Sequence, residues 1–281
     1  TLAREFARAR PSLALSGGIS ASGENATATQ VGVNLLNYVC GNIGQTVHFG
    51  QGTDYDSVAT HQEFLRLVEA MEREEILLVL FHHVNPLFTL PEAAGFERAL
   101  ARVPFKISFS SFLDETTAAC DLVLPDHTPL ERWEDYTPRA GVYSLVQPAM
   151  RPVFETKATG DVLLSLARQV APEFEGRFAF ESFHDYLREQ WKALHRRFAP
   201  QQDFEEFWQK AVENGGVWTS VPERRVQFRL EAVRTALPGP TARPTAAQEA
   251  AGDFALVVYP SLQLFDGRGA NRSWLQEIPE A

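Results

Sequence analysis

The run Ile76-Leu77-Leu78-Val79-Leu80-Phe81 is wholly apolar and leads straight into His82, His83, Val84, Asn85 and Pro86. Imidazoles at the end of a buried strand can ligate metal, hold a ligand or move a proton, and Asn-Pro marks a turn. Adjacent strand residues point to opposite faces, so His82 and His83 are expected not to share one ion. His48, His61 and His127 are remote in sequence, and there is no HxH or HExxH spacing, so no metal ligand is assigned. The plainer reading makes Asn85-Pro86 a turn and gives both histidines backbone partners. A second candidate is the small-residue turn Ser16-Gly17-Gly18, placed where a phosphate cradle at a helix N-terminus would lie. It is not GxGxxG and has no P-loop lysine, so a tight turn explains it equally well. The third is the polar stretch after Phe105–Ser111. There Asp114, Glu115, Thr116 and Thr117 open a helical turn, and Asp126, His127, Glu131, Trp133 and Glu134 follow a further apolar run. Acids at a helix start serve as caps, and they also accept hydrogen bonds from a guanidine- or amide-like ligand edge. No acid pair stands at a spacing diagnostic of acid–base catalysis, and neither a GxSxG motif nor a Cys–His dyad is present.

The elements that must carry these residues alternate. Ser12–Ser16, Ile76–Phe81, Phe105–Ser110 and Leu122–Pro125 read as short strands, apolar on both faces. Between them lie helical patterns over residues 1–10, over 24–44 with Val31, Leu35, Tyr38 and Val39 in phase, over Val58–Glu74 and after Pro91. Such alternation predicts parallel βαβ units and a doubly wound α/β fold, mainly parallel with helices on both faces. In open parallel sheets, ligands bind beyond the carboxyl ends of the strands, which is where all three candidate stretches fall. The expected organisation is an α/β dinucleotide-binding-like domain over 1–175, closed by a helix from Gly160. A helical insertion follows over 176–236, in which Val226–Ala236 looks extended. Residues 237–253 form a Pro-, Ala- and Thr-rich linker, and 254–281 begin a C-terminal β domain.

Composition excludes some functions. The chain has 281 residues, 44% hydrophobic and 22% charged, with 26 basic against 36 acidic residues and a net charge of −10. An acidic chain without a basic cluster is not built to neutralise phosphates, so no nucleic-acid partner is expected. Two cysteines, Cys40 and Cys120, make neither a disulfide framework nor an iron–sulfur signature. No apolar run reaches the roughly 18–20 residues of a membrane span. The opening helix without an initiator Met reads as a fragment or a processed product.

The order of segments resembles a known family. RPSLALSGGISA, VNLLNYVCGNIGQTV, VNPLFTLP, VPFKISFSSFLDETTAACDLVLPDHTPLERWEDY, LVQPAMRPVFETKATGDVLLSLAR and YPSLQLFDGRGANRSWLQEIPE occur here in the order found in molybdopterin oxidoreductases of the dimethyl-sulfoxide-reductase-like type. The flavour is that of the polysulfide, thiosulfate and tetrathionate reductase branch and of related quinol-oxidising complexes. The resemblance covers all but about residues 177–250. It implies a molybdopterin guanine dinucleotide carrying Mo or W, with an iron–sulfur cluster outside this stretch. It also implies an iron–sulfur electron-transfer subunit and a membrane anchor or cytochrome as partners, and a periplasmic or cell-envelope location.

Position by position, the family's GTNP falls so that Asn85 and Pro86 keep its last two residues, beside a dinucleotide. ETxxxAD falls on Glu115 to Asp121, with Cys120 where Ala is usual, and the tail motif puts Asn271 and Trp274 near the pterin. Gly17, Gly18, Asn85, Asp114, Glu115, Thr116 and Asp126 would then hold the dinucleotide. His83 departs from the pattern, since the family has Gly there, and an imidazole either fills the space of a close backbone approach or supplies its own hydrogen bond. Two readings stay open. The chain is part of a cofactor-binding catalytic subunit, or it is a cofactor-free relative, of the alternative complex III type, serving as a docking platform in a membrane quinol-oxidoreductase complex.

Overall fold

The computed structural model describes residues 2–17, 25–53, 58–170, 176, 178–237, 259–270 and 272–279. They form two compact units, Thr1–Gly52 with Val221–Ala281, and Thr53–Ser220.

The first unit contains helices α1 (Leu2–Arg8), α2 (Ala26–Val39), α10 (Leu230–Ala236) and α11 (Ser273–Gln276). The strand expected at Ser12–Ser16 forms no ladder among the described residues. Its backbone polarity goes instead to a side chain. The buried Asn37 of α2 accepts from Ala14 N–H at 2.9 Å and donates to Ala14 C=O at 2.8 Å, as a neighbouring strand would. Val226–Ala236, expected to be extended, is helical from Leu230. Leu, Glu, Ala and Arg are helix formers, Glu231 lies in its first turn and Arg234 in its last, and both signs suit the helix dipole. The expected linker over 237–253 lies outside the described residues, apart from Leu237.

The second unit holds a parallel sheet of β1 (Leu78–Phe81), β2 (Phe105–Ser108) and β3 (Leu122–Val123), in that order. Helix α3 (His61–Glu72) starts in a Thr60–Glu63 capping box and carries Phe64, Val68 and Met71 on one stripe. That stripe meets Val79 and Phe81 of β1 and Phe96, Ala99 and Leu100 of α5 (Phe96–Leu100) in one core, while Leu78, Leu80 and Phe105 of the sheet stay partly exposed. Each fully buried large apolar side chain contributes roughly 1.5–3 kcal/mol of burial free energy. The mixed α/β fold with its parallel sheet is the one the alternation predicts.

A second, antiparallel sheet in this unit has no counterpart in the expected organisation. It comprises β4 (Glu134–Arg139), β5 (Val142–Val146) and β6 (Gly216–Trp218), in the order β4-β5-β6. Behind it pack α8 (Phe183–Phe198) and α9 (Phe204–Asn214), whose Trp191, Phe207 and Trp208 form a second core with Leu145. Ser182 and Asp203 cap the two helices, and Gly215, at φ +71, ends α9 in the left-handed conformation glycine adopts without strain. Gly216 has to be glycine for space as well, because a Cβ there would lie 2.2 Å from the Tyr143 carbonyl oxygen across the ladder. Helix α7 (Thr159–Val170) matches the helix expected from Gly160.

Candidate functional site

Parallel pairing brings the carboxyl ends of β1, β2 and β3 to one edge of the sheet. Pairing continues one step beyond the strands, with Phe109 N–H donating to Phe81 C=O at 2.9 Å and Asp126 N–H to Phe109 C=O at 3.1 Å. The loops carrying His82–Pro86, Ser110–Thr116 and Leu124–His127 therefore converge, and two side-chain networks form among them.

The first is built on Asn85, which precedes the short helix α4 (Pro86–Thr89), with Pro86 buried at its first position. Asn85 Oδ1 accepts from the Thr116 hydroxyl at 2.7 Å and from Thr116 N–H at 3.2 Å, while its Nδ2 donates to Glu115 at 2.7 Å. Thr116, 1% exposed, in turn accepts from Leu87 N–H at 3.1 Å. Glu115 and Thr116 open α6 (Glu115–Ala118), and Asp114 caps it by accepting from Thr117 N–H at 2.7 Å. The hydrogen bond from Asn85 is the main reason the exposed Glu115 carboxyl lies below its ordinary pKa. Cys120 donates its thiol to Thr116 C=O at 3.2 Å, and burial, with Asp121 beside it, pushes that thiol's pKa up.

The second network centres on Asp126, 3% exposed. Its Oδ1 accepts from His127 N–H at 2.9 Å and from Thr159 N–H, at the start of α7, at 2.8 Å. Its Oδ2 faces Arg132 Nη1, His82 Nε2 at 3.2 Å and His83 Nε2 at 3.5 Å. Arg132 is buried too, and it also donates to His127 C=O at 2.8 Å and through two nitrogens to Glu134. The imidazoles of His82 and His83 stack with centroids 3.9 Å apart. Partial burial, the neighbouring His82 and the Arg132 guanidinium hold the His83 pKa below its ordinary value, against the pull of Asp126 and Glu134.

This arrangement corrects the expectation that the two histidines point apart. Strand geometry stops at Phe81, and His83 takes a left-handed backbone at φ +56, so alternation no longer applies. One ring nitrogen of each histidine and an Asp126 oxygen consequently lie within 4.8 Å of one another. The histidines' partners are side chains, not the backbone groups of the plainer reading.

The other candidates fall elsewhere. Gly17 and Trp274 belong to the first unit, where Trp274 is 80% exposed in α11. Gly18 and Asn271 lie outside the described residues. Glu131 accepts from Thr128 and Val153 N–H at 2.9 Å each, so it braces a loop. Trp133 stacks near His184 and Trp208 in the α8–α9 core. Arg132 and Thr159 are members that reading the sequence missed. Arg132, in the Glu131-Arg132-Trp133-Glu134 run, carried the one available signal, a lone cation among acids.

A parallel three-stranded sheet with helices packed on it and polar loops gathered at its carboxyl edge defines a protein of the mixed α/β class. More particularly, residues 15–169 match the molybdopterin oxidoreductase family, and the chain belongs to that family. Over 114 residues it is 40% identical to a "menaquinone reductase, molybdopterin-binding-like subunit" of Nitratidesulfovibrio vulgaris (strain Hildenborough), a match spanning 39% of this chain and 16% of that protein. It also resembles the acetylene hydratase of Pelobacter acetylenicus, with a TM-score of 0.52 and 14% identity over 73% of this chain and 35% of that one, a likeness of fold.

Proposed function

We propose that this chain is part of the molybdopterin-guanine-dinucleotide-binding catalytic subunit of an oxidoreductase in respiratory, quinone-linked electron transfer. Family membership implies a molybdopterin cofactor and is the general support. The observation that carries the residue assignment is the convergence of Asn85, Asp114, Glu115 and Thr116 at the carboxyl edge of β1–β3. The donor set fits a guanine dinucleotide. Glu115 is an exposed carboxylate, an acceptor for the donor edge of a guanine, and Asn85 and Thr116 hold it in place. Among the described residues the buried Thr156 and Thr159 hydroxyls make no hydrogen bond, and Thr159 adjoins the Asp126 network. Asp114, Glu115 and Asp126 with Asn85 and Pro86 would line one limb of the dinucleotide. The bound group supplies metal-centred redox chemistry, and these residues bind and orient it. An iron–sulfur subunit and a membrane anchor or cytochrome would be its partners at the cell envelope.

One observation favours a second reading, a cofactor-free docking subunit. His83 stands in a left-handed turn where the family has Gly, and its ring occupies the strand end. Elemental analysis of the matured full-length protein, with assay of released pterin and guanosine monophosphate, separates the two. Near-stoichiometric molybdenum or tungsten with guanosine monophosphate is the expected result. Material that is properly matured yet free of metal and pterin overturns the first reading in favour of the second.

A further inference from the structure

We propose that the His83 imidazole is a proton-operated gate at the carboxyl edge of the parallel sheet. Neutral, it lies against His82 and Arg132; protonated, it turns into solvent and uncovers the buried Asp126–Arg132 pair. The neutral ring has a defined partner, since Arg132 Nη1 lies 3.3 Å from His83 Nε2. A guanidinium only donates, so this nitrogen presents its lone pair and the ring proton sits on Nδ1. His82 stacks on the same ring with centroids 3.9 Å apart and planes 21° from parallel.

A proton on Nε2 removes that partner without supplying another. It sets an N–H and a positive charge against the Arg132 guanidinium. The nearest carboxylate oxygen, Asp126 Oδ2, is 3.5 Å away, and its two lone pairs already face Arg132 Nη1 and the closer His82 Nε2 at 3.2 Å. Glu134 is engaged through Oε2 by two nitrogens of Arg132. The charged and titratable groups facing His83 are thus His82 in its own turn, Asp126 beyond β3, and Arg132 and Glu134 at the start of β4. His127 turns its ring nitrogen to Thr156 C=O at 3.1 Å and gives Arg132 only its carbonyl. Partial burial, then His82 and Arg132, outweigh the two acids, so the closed ring binds a proton less well than a ring in water. Acidification therefore populates the open ring. The movement needed is local. His83 is half exposed and is a single left-handed residue beyond β1, so a change of side-chain rotamer moves the ring without moving the strand. Asp126 and Arg132, 3% and 7% exposed in the closed state, then meet water.

The test is nuclear magnetic resonance of the isotope-labelled 281-residue chain, titrated from about pH 7.5 to about 5. Ring-nitrogen shifts distinguish the neutral tautomers from imidazolium, contacts between ring protons report the stack, and the resonances missing from His83→Gly identify the His83 ring. His83 should titrate below the ordinary value of about 6.5, and its contacts with His82 should vanish with the same midpoint. Two variants at solvent-facing positions separate the charges. His82→Gln removes a neighbour that opposes protonation and should raise the His83 midpoint. Glu134→Gln removes an acid that favours it and should lower the midpoint. Rings that stay in contact through the titration, a midpoint at or above 6.5, or variants that do not shift it in these opposite directions overturn the proposal. The gate rests on the geometry of these side chains and not on the cofactor. Molybdenum and pterin content of the full-length protein is a separate readout, so either reading can fail while the other stands.

Discussion

His83 is the residue where local strain and chemistry meet. At φ +56 its Cβ crowds the backbone, a conformation that costs an L-residue roughly 1–2 kcal/mol and glycine almost nothing. The side chain offsets part of that cost by stacking on His82 and facing Asp126. Comparing two truncations isolates the backbone share. His83→Ala and His83→Gly both remove the imidazole, and only glycine is free at this φ. The Gly variant should therefore be the more stable by about 1 kcal/mol, once its greater unfolded-state freedom is subtracted. Urea denaturation of both proteins checks this, and equal midpoints would show that the turn is not strained. The same residue shows where reading the sequence ends. The polar tip of β1 is legible from an apolar run ending in His-His-Val-Asn-Pro. The convergence of both rings is not, because it needs a left-handed histidine, and that conformation has no signature in residue type. Asp126 as the hub is likewise invisible, since Thr159 lies 33 residues away and is joined only by tertiary folding.

At the scale of elements, legibility follows periodicity. Helices α3, α7, α8 and α9 carry clear apolar stripes, α3, α8 and α9 also have side-chain caps, and strands β1 to β3 are short apolar runs, so both kinds stand out. The sheet β4-β5-β6 does not. Glu134–Arg139 reads Glu-Asp-Tyr-Thr-Pro-Arg without apolar alternation, and β6 joins from more than seventy residues away. What holds this sheet is the aromatic layer behind it, including the Trp191 indole donating to Asp135 at 3.0 Å. His184 of α8 sits in that layer, its ring 4.4 Å from Trp133. Burial first, then Arg188, hold its pKa below the ordinary value of about 6.5, against Asp185. Protonation therefore favours the unfolded chain. The stability this group supports is complete above pH 6.5 and declines as pH falls from there through the lower folded-state pKa. Replacing His184 by Phe keeps the packing and removes the proton. The melting temperature of His184→Phe should fall less than that of the parent between pH 7 and 5, and parallel curves would assign the pH sensitivity to other groups.

For the whole molecule, the division at Gly52/Thr53 and Ser220/Val221 has a consequence for folding. Among the described residues, two hydrophobic cores lie within Thr53–Ser220, one under the parallel sheet around Met71, Phe81 and Leu100, the other around Trp191, Phe207 and Trp208. The strand-end networks of Asn85 and Asp126 also draw all their named partners from this stretch. A segment of this length with two aromatic-rich cores buries enough apolar surface to offset its conformational entropy alone. The described part of the first unit contrasts with it. There Leu2, Leu15, Val39 and Trp274 are largely exposed, and the tertiary contacts include the polar bridge of Asn37 to Ala14, the His48–Glu223 pair and the edge-on Tyr38–Phe228 ring pair. Residues 53–220 expressed alone should therefore give a cooperative thermal transition and a structured near-ultraviolet circular dichroism spectrum. Residues 1–52 joined to 221–281 should not. A non-cooperative melt with dye-binding apolar surface would mean that the strand edges and cores of this unit require the rest of the chain to order them.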